Sequence, residues 1–154
     1  MNWTKRFTGL LILGVVFIAS CKKEDDPSDY TEEQKIEIKS YIAAKGWDAD
    51  STSSGLYYVV DREGTGKRPS QYSDVLIRYK GELLNGTVFD ESTSGARLNL
   101  SRVIEGWKEG VPKFKEGGHG WLLIPSRLGY GNQTQGAIPS NSVLIFEIYL
   151  DEVF

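Results

Sequence analysis

From Gly55 onward the apolar residues of this chain fall in short runs that recur at every second position, a period that suits strands and fits an amphipathic helix poorly. Val143 to Leu150 carries it most clearly, with Leu144, Phe146, Ile148 and Leu150 on one face. Leu56, Tyr58 and Val60 alternate with Tyr57 and Val59 until Gly64-Thr65-Gly66 breaks the run. Val75, Ile77 and Tyr79 share a face against Leu76, Arg78 and Lys80, which turns Tyr79 inward. Asn85-Gly86 is a strong turn signal before a strand that reaches Phe89. Leu98 and Leu100 share a face in a further short strand, and Gly117-Gly118 opens one in which Leu122 and Ile124 point the same way. A single helix interrupts this pattern: Ser101 is expected to cap a brief helix through Val103 to Glu109, with Glu105 and Trp107 in its first turns. Several antiparallel strands with one short helix predict an α+β domain.

The segment before Gly55 has a different character. Lys5 and Arg6, then an apolar stretch from Leu10 to Ile18, read as an export signal over residues 1–20, since that stretch is short of the ~20 residues a bilayer span needs. Ile18-Ala19-Ser20-Cys21 resembles the lipobox of bacterial lipoproteins, which implies acylation of Cys21 and a lipid anchor in a membrane. The alternative is a generic signal with an incidental cysteine, although this is the only cysteine in the chain. Once acylated it leaves no thiol for a disulfide, a metal or catalysis. Loss of Lys5 and Arg6 with the signal leaves 16 of the 18 basic residues against 21 acidic ones, a net charge of −5 that makes nucleic acid an unsuitable partner.

Residues 21–30 are polar and charged, with too little apolar surface to order themselves, and are expected to form a flexible tether. The run Lys22-Lys23-Glu24-Asp25-Asp26 is similar to the acidic stretch that sends some Gram-negative lipoproteins to the cell surface, and reads equally well as a solvated spacer. Residues 31–54 form a helix and linker: Thr31 and Gln34 have the spacing of a capping box, Ile38, Tyr41 and Ile42 share one face, and Gly46 supplies a left-handed stop after Lys45. One apolar stripe must dock on something, either the domain itself or a second copy in a homodimer, and the spacing leaves both open.

Within 55–154, Val103-Ile104-Glu105-Gly106-Trp107 stands amid aromatics from well-separated segments. Tyr79-Lys80-Gly81, Phe89-Asp90-Glu91-Ser92, Val103 to Trp107, Tyr130-Gly131, Ile138-Pro139 and the strand from Val143 to Leu150 together closely resemble the FKBP-type peptidyl-prolyl isomerases, in motif and in order. The resemblance implies a strongly curved antiparallel sheet wrapped around a short helix. It implies isomerisation of X-Pro bonds in proline-containing polypeptides, with no cofactor and no metal. It makes Trp107 the floor under the prolyl ring, Tyr79, Phe89, Val103, Ile104 and Phe146 the walls, and Ile138 an apolar contact from the last loop. The Ile104 amide and the Tyr130 hydroxyl become donors to the peptide, and Asp90 orients groups near its carbonyl. Ala96 or its neighbours stand where better-known members carry another aromatic wall, so the pocket is expected to be wider there.

Nothing else in the chain suggests a reaction. His119 is the only histidine, with no cysteine or second histidine to complete a zinc site, and no serine has a plausible partner base. Three functions remain in view: an envelope isomerase of a Gram-negative-type bacterium, anchored at the outer membrane on its periplasmic or surface face; a non-catalytic chaperone or binding module with the same basin; and a lipoprotein whose fold only scaffolds contacts.

Overall fold

The computed structural model describes residues 29–154. The expected signal, Cys21 and all of the tether up to residue 28 therefore lie outside the described residues. Helix α1 spans Asp29–Lys45, starting before Thr31 rather than after it. Gln34 does not supply its half of the expected capping box, because its side chain is buried against a distant loop instead of turning back to the helix start. The C-terminal stop is as expected: Gly46 has φ 66°, its N–H donates to Ala43 (3.1 Å), and the Trp47 N–H donates to Ile42 (3.1 Å). These two bonds are a Schellman motif, which satisfies carbonyls the helix end would otherwise leave open.

Six strands follow: β1 Asp50–Ser51, β2 Tyr57–Arg62, β3 Asp74–Leu83, β4 Val88–Asn99, β5 Gly118–Ile124 and β6 Leu144–Val153. They form one antiparallel sheet in the order β1-β2-β5-β6-β3-β4. Helix α2, Glu105–Gly110, packs on one face of it. The opposite face carries α1, whose Ile38, Tyr41 and Ile42 pack with Tyr57, Val59, Leu123, Val143 and Ile145. The apolar stripe of α1 is thus spent on its own domain; of the larger apolar side chains on its outer side, Ile36 is 65 % exposed.

Covering both faces explains why β2 carries two interleaved apolar sets. Leu56, just before the strand, and Tyr58 belong to the α2 side, Tyr57 and Val59 to the α1 side, and Val60 emerges beyond both. On β6, Leu144, Phe146, Ile148 and Leu150 face α2 as expected. The register shifts by bulges near Val60, Leu76, Ile77 and Gly81, which bend and twist the strands around α2.

Two local expectations are corrected. The short strand at Leu98 is the second half of β4, and Leu100 has already entered a 3-10 turn, Leu100–Arg102. Gly95 (φ 91°) lies in the excess of β4 residues between the pairs Ile77–Ala96 and Tyr79–Ser92, so the strand bulges there instead of ending. Ser101 does not cap the helix. The Asn99 side chain accepts the Ser101 N–H (3.0 Å) and caps the 3-10 turn, extended backbone at Val103 and Ile104 follows, and α2 starts at Glu105 without a side-chain cap.

Candidate active site

Glycines set the shape of the site. A Cβ on Gly106 would lie 2.5 Å from a carbon of Ile124, and one on Gly110 2.6 Å from a carbon of Leu122, so α2 can lie this close to β5 only without those side chains. That approach sinks Trp107 into the core, 3 % exposed. Gly81 on β3 does the same for the rings, since a Cβ there would lie 2.6 Å from Phe89 and 2.8 Å from Phe146. The glycine two residues after Tyr79 is therefore the bed on which two aromatic rings rest.

The rings are arranged edge to face around the indole. Trp107 meets Tyr79 at 5.2 Å and 89°, and Phe146 at 5.1 Å and 88°. Phe89 meets Phe146 at 5.4 Å and 83°. Such pairs gain roughly 0.5–1.5 kcal/mol each beyond burial, enough to fix ring orientation.

Above them opens a pocket of about 450 Å³, lined by Tyr79, Asp90, Val103, Ile104, Trp107, Tyr130 and Phe146, joined by Leu98 and Arg102. Seven of the nine residues expected from the sequence thus share one cavity. Phe89 is not among its lining residues; its half-buried ring meets Phe146 edge to face beside the pocket. Ile138 does not line it either: it is buried in the core, its loop closed on itself by a bridge to Gln135. Leu98 and Arg102 were missed. The face that Leu98 shares with Leu100 pointed inward without saying how near the pocket it fell. Arg102 adjoins Val103, and its proximity was the only signal.

The polar groups are few and oriented. The Tyr79 hydroxyl donates to the Asp90 carboxylate at 2.8 Å. Burial first, and then this bond, push the Tyr79 phenol up to about 12, so it stays a neutral donor through the physiological range. Among the described residues the Ile104 N–H has no hydrogen-bond partner, and neither does the buried indole N–H of Trp107. No group of three or more His, Cys, Asp or Glu residues among the described residues could hold a metal ion. His119 lies outside the pocket and is satisfied: Nδ1 faces Asp61 (2.9 Å), Nε2 faces Glu147 (3.0 Å), and the ring stacks on Tyr149.

The pattern that carries these residues is matched by the family model for FKBP-type peptidyl-prolyl cis-trans isomerases over residues 66–151. This chain belongs to that family. It is 41 % identical over 123 residues to the FKBP-type peptidyl-prolyl cis-trans isomerase FkpA of Buchnera aphidicola, covering 77 % of this chain and 48 % of the relative. It is 38 % identical over 138 residues to FkpA of Escherichia coli, covering 88 % and 50 %. The chain therefore spans about half the length of these curated relatives. The crystal structure of Escherichia coli FkpA superposes with a TM-score of 0.70 at 33 % identity, over 82 % of this chain and 62 % of the other. A peptidyl-prolyl cis-trans isomerase from Pseudomonas syringae gives 0.72 at 28 %, over 84 % and 97 %. This FKBP fold places α2 against the sheet and the aromatic pocket beside it.

The raised Tyr79 phenol makes a pH prediction with a definite sign. Below pH 10 the phenol is protonated in both the folded and the unfolded chain, and its contribution to stability is intact; as pH rises from 10 toward about 12 the unfolded chain ionises first and that contribution is lost. Denaturant unfolding across that range, with phenolate absorbance in parallel, is expected to show a fall in stability that Tyr79→Phe makes smaller. An unchanged fall in the variant contradicts the assignment.

Proposed function

We propose that this chain is a peptidyl-prolyl cis-trans isomerase that acts on proline-containing polypeptides in the envelope of a Gram-negative-type bacterium, held to a membrane through acylated Cys21. The observation that carries the catalytic part is the indole of Trp107 at the bottom of a ring-walled pocket, beside a single Tyr79–Asp90 pair and without a nucleophile.

Rotation about an X-Pro bond faces a barrier of roughly 18–20 kcal/mol, because the planar amide loses its partial double bond at the twisted midpoint. The twisted amide is less polar than the planar one and is harmed less by removal from water, so an apolar pocket that admits the prolyl ring favours the twisted form. In this reading Trp107 is the floor, and Tyr79, Val103, Ile104 and Phe146 are walls, with Phe89 bracing Phe146. The Ile104 N–H and the Tyr130 hydroxyl hold the peptide backbone. Asp90, fixed by the Tyr79 hydroxyl, stands near the carbonyl end and transfers no proton. The order of these residues in the chain and the likeness to named isomerases support the reading.

Envelope placement rests on the sequence of the first 26 residues. Several acyl chains, each methylene contributing ~0.8 kcal/mol, anchor a protein stably. Replacement of Cys21 by Ser is expected to move the protein from the membrane fraction to the soluble one. An unchanged distribution removes the anchor from the proposal.

Activity is tested on the soluble chain from Lys22 with a short X-Pro peptide followed by exchange spectroscopy. The wild-type chain is expected to accelerate cis-trans conversion. Trp107→Leu should lower kcat/KM about tenfold to a hundredfold, and Asp90→Ala about three- to tenfold, where each tenfold corresponds to roughly 1.4 kcal/mol of transition-state stabilisation. A wild-type chain that leaves the uncatalysed rate untouched defeats the enzyme reading. If it then still binds the peptide, the basin is a non-catalytic binding module.

A further inference from the structure

The segment from Ser126 to Asn141, which connects β5 to β6 and carries Tyr130, is an Ω-like loop whose two ends lie together. Inside it, the Ser126 carbonyl accepts the N–H groups of Gly129 (2.9 Å) and Gly131 (2.8 Å), and the Asn141 N–H donates to the Gly131 carbonyl (2.8 Å). Asn141 holds a left-handed backbone, φ 57°, the one residue other than glycine with positive φ among those described.

One side chain from outside the loop spans its neck. Gln34 of α1, 4 % exposed, accepts the Ser126 N–H at 2.9 Å and donates through Nε2 to Ser126 Oγ at 3.0 Å and to the Asn141 carbonyl at 2.9 Å. The backbone partners fix the orientation of the amide, because the Ser126 N–H can only donate and the Asn141 carbonyl can only accept. A planar amide of this kind, buried and fully paired, joins both ends of the loop to a helix that is itself seated by fully buried Ile38 and by the bond from the Tyr41 hydroxyl to Glu82 (3.2 Å). Tyr130 lies within the hydrogen-bonded turn between Ser126 and Gly131, so the clasp and the pocket share one short stretch of backbone. The segment is also held by Ile138 and Leu128, which pack into the core, and by the Arg127 guanidinium on the Ser54 carbonyl, but among the described residues Gln34 is the side chain that hydrogen-bonds to both of its ends.

We propose that Gln34 is a positioning residue for isomerisation, and that α1, which precedes the segment matched by the family, acts as a brace for the pocket by holding the Tyr130 loop at its neck. The inference rests on the isomerase reading given above. It makes residues 29–45 a working part of the enzyme, in addition to a spacer between tether and domain. Displacing a substrate-contacting group by even about 1 Å is costly in rate, which is why a clasp far from the reacting bond has catalytic weight.

The test uses the soluble chain from Lys22 as wild type, Gln34→Ala, Gln34→Glu, Tyr130→Phe and the double variant that combines Gln34→Ala with Tyr130→Phe, with kcat/KM on an X-Pro peptide and the thermal midpoint measured for each. Gln34→Ala is expected to lower kcat/KM about three- to tenfold under conditions where it is folded, and to lower it less than about twofold in the Tyr130→Phe background, because groups that act together are not additive. Gln34→Glu keeps an acceptor for Ser126 but has no donor for Asn141, and an intermediate loss is expected; it also serves if the alanine variant does not fold. Equal losses with Tyr130 intact and in the Tyr130→Phe background overturn the inference, since a merely structural role moves both alike. So does a folded Gln34→Ala or Gln34→Glu chain with wild-type kcat/KM. An inactive wild type defeats the isomerase reading and this inference together, whereas an active wild type with an indifferent position 34 defeats this inference alone.

Discussion

The contact on which the site depends is the close approach of α2 to β5, permitted by Gly106 and Gly110. A helix carrying side chains at those positions would stand farther from the sheet, and an indole one residue along would no longer reach the floor between β3 and β6. Because the approach is close, Trp107 is locked by packing rather than by hydrogen bonds, and its buried N–H meets no acceptor among the described residues. An unpaired buried donor costs roughly 1–3 kcal/mol, a cost offset by the apolar area and the edge-to-face contacts around the ring. The pocket is a consequence of this docking: Tyr79 and Phe146 stand against the indole from the sheet, and the loops carrying Ile104 and Tyr130 close the rim.

Such a cavity suits a rotation in which no covalent bond is made or broken. Its aromatic and aliphatic walls carry the Tyr79 and Tyr130 hydroxyls, Asp90 and Arg102 as polar groups, and Asp90 is already engaged by the Tyr79 hydroxyl, whose raised pKa keeps it a donor. A carboxylate held in that way orients dipoles and is poorly placed to shuttle protons. The side of the pocket lined by Leu98 is aliphatic rather than aromatic.

Much of this was legible because the sheet faces are read by a period of two. Tyr79 and Phe146 could be placed inward from Val75, Ile77, Leu144 and Ile148, and the spacing around Trp107 supplied the rest through resemblance. The misses have physical causes. Phe89 and Ile138 are apolar and belong to the right segments, but the sequence does not say whether a ring forms the inner surface of a wall or its backing. Arg102 carries no apolar periodicity, and only its place next to Val103 pointed to it. The capping box at Thr31 and Gln34 was a local pattern overruled by a long-range one: the amide gains more from a buried neck with backbone donors and acceptors than from an exposed helix end. Ser101 lost its expected role for a local reason: the Asn99 side chain takes its N–H into a 3-10 turn, and extended backbone at Val103 and Ile104 separates that turn from α2.

The central claim is that a prolyl ring is seated over Trp107, and the indole N–H groups report on it directly. In a nitrogen-15 labelled chain from Lys22, titration with an X-Pro peptide is expected to shift or broaden the Trp107 indole resonance while those of Trp47 and Trp121, stacked on each other away from the pocket, stay in place. A bound peptide that moves the Trp47 and Trp121 signals and leaves Trp107 where it was would contradict the account.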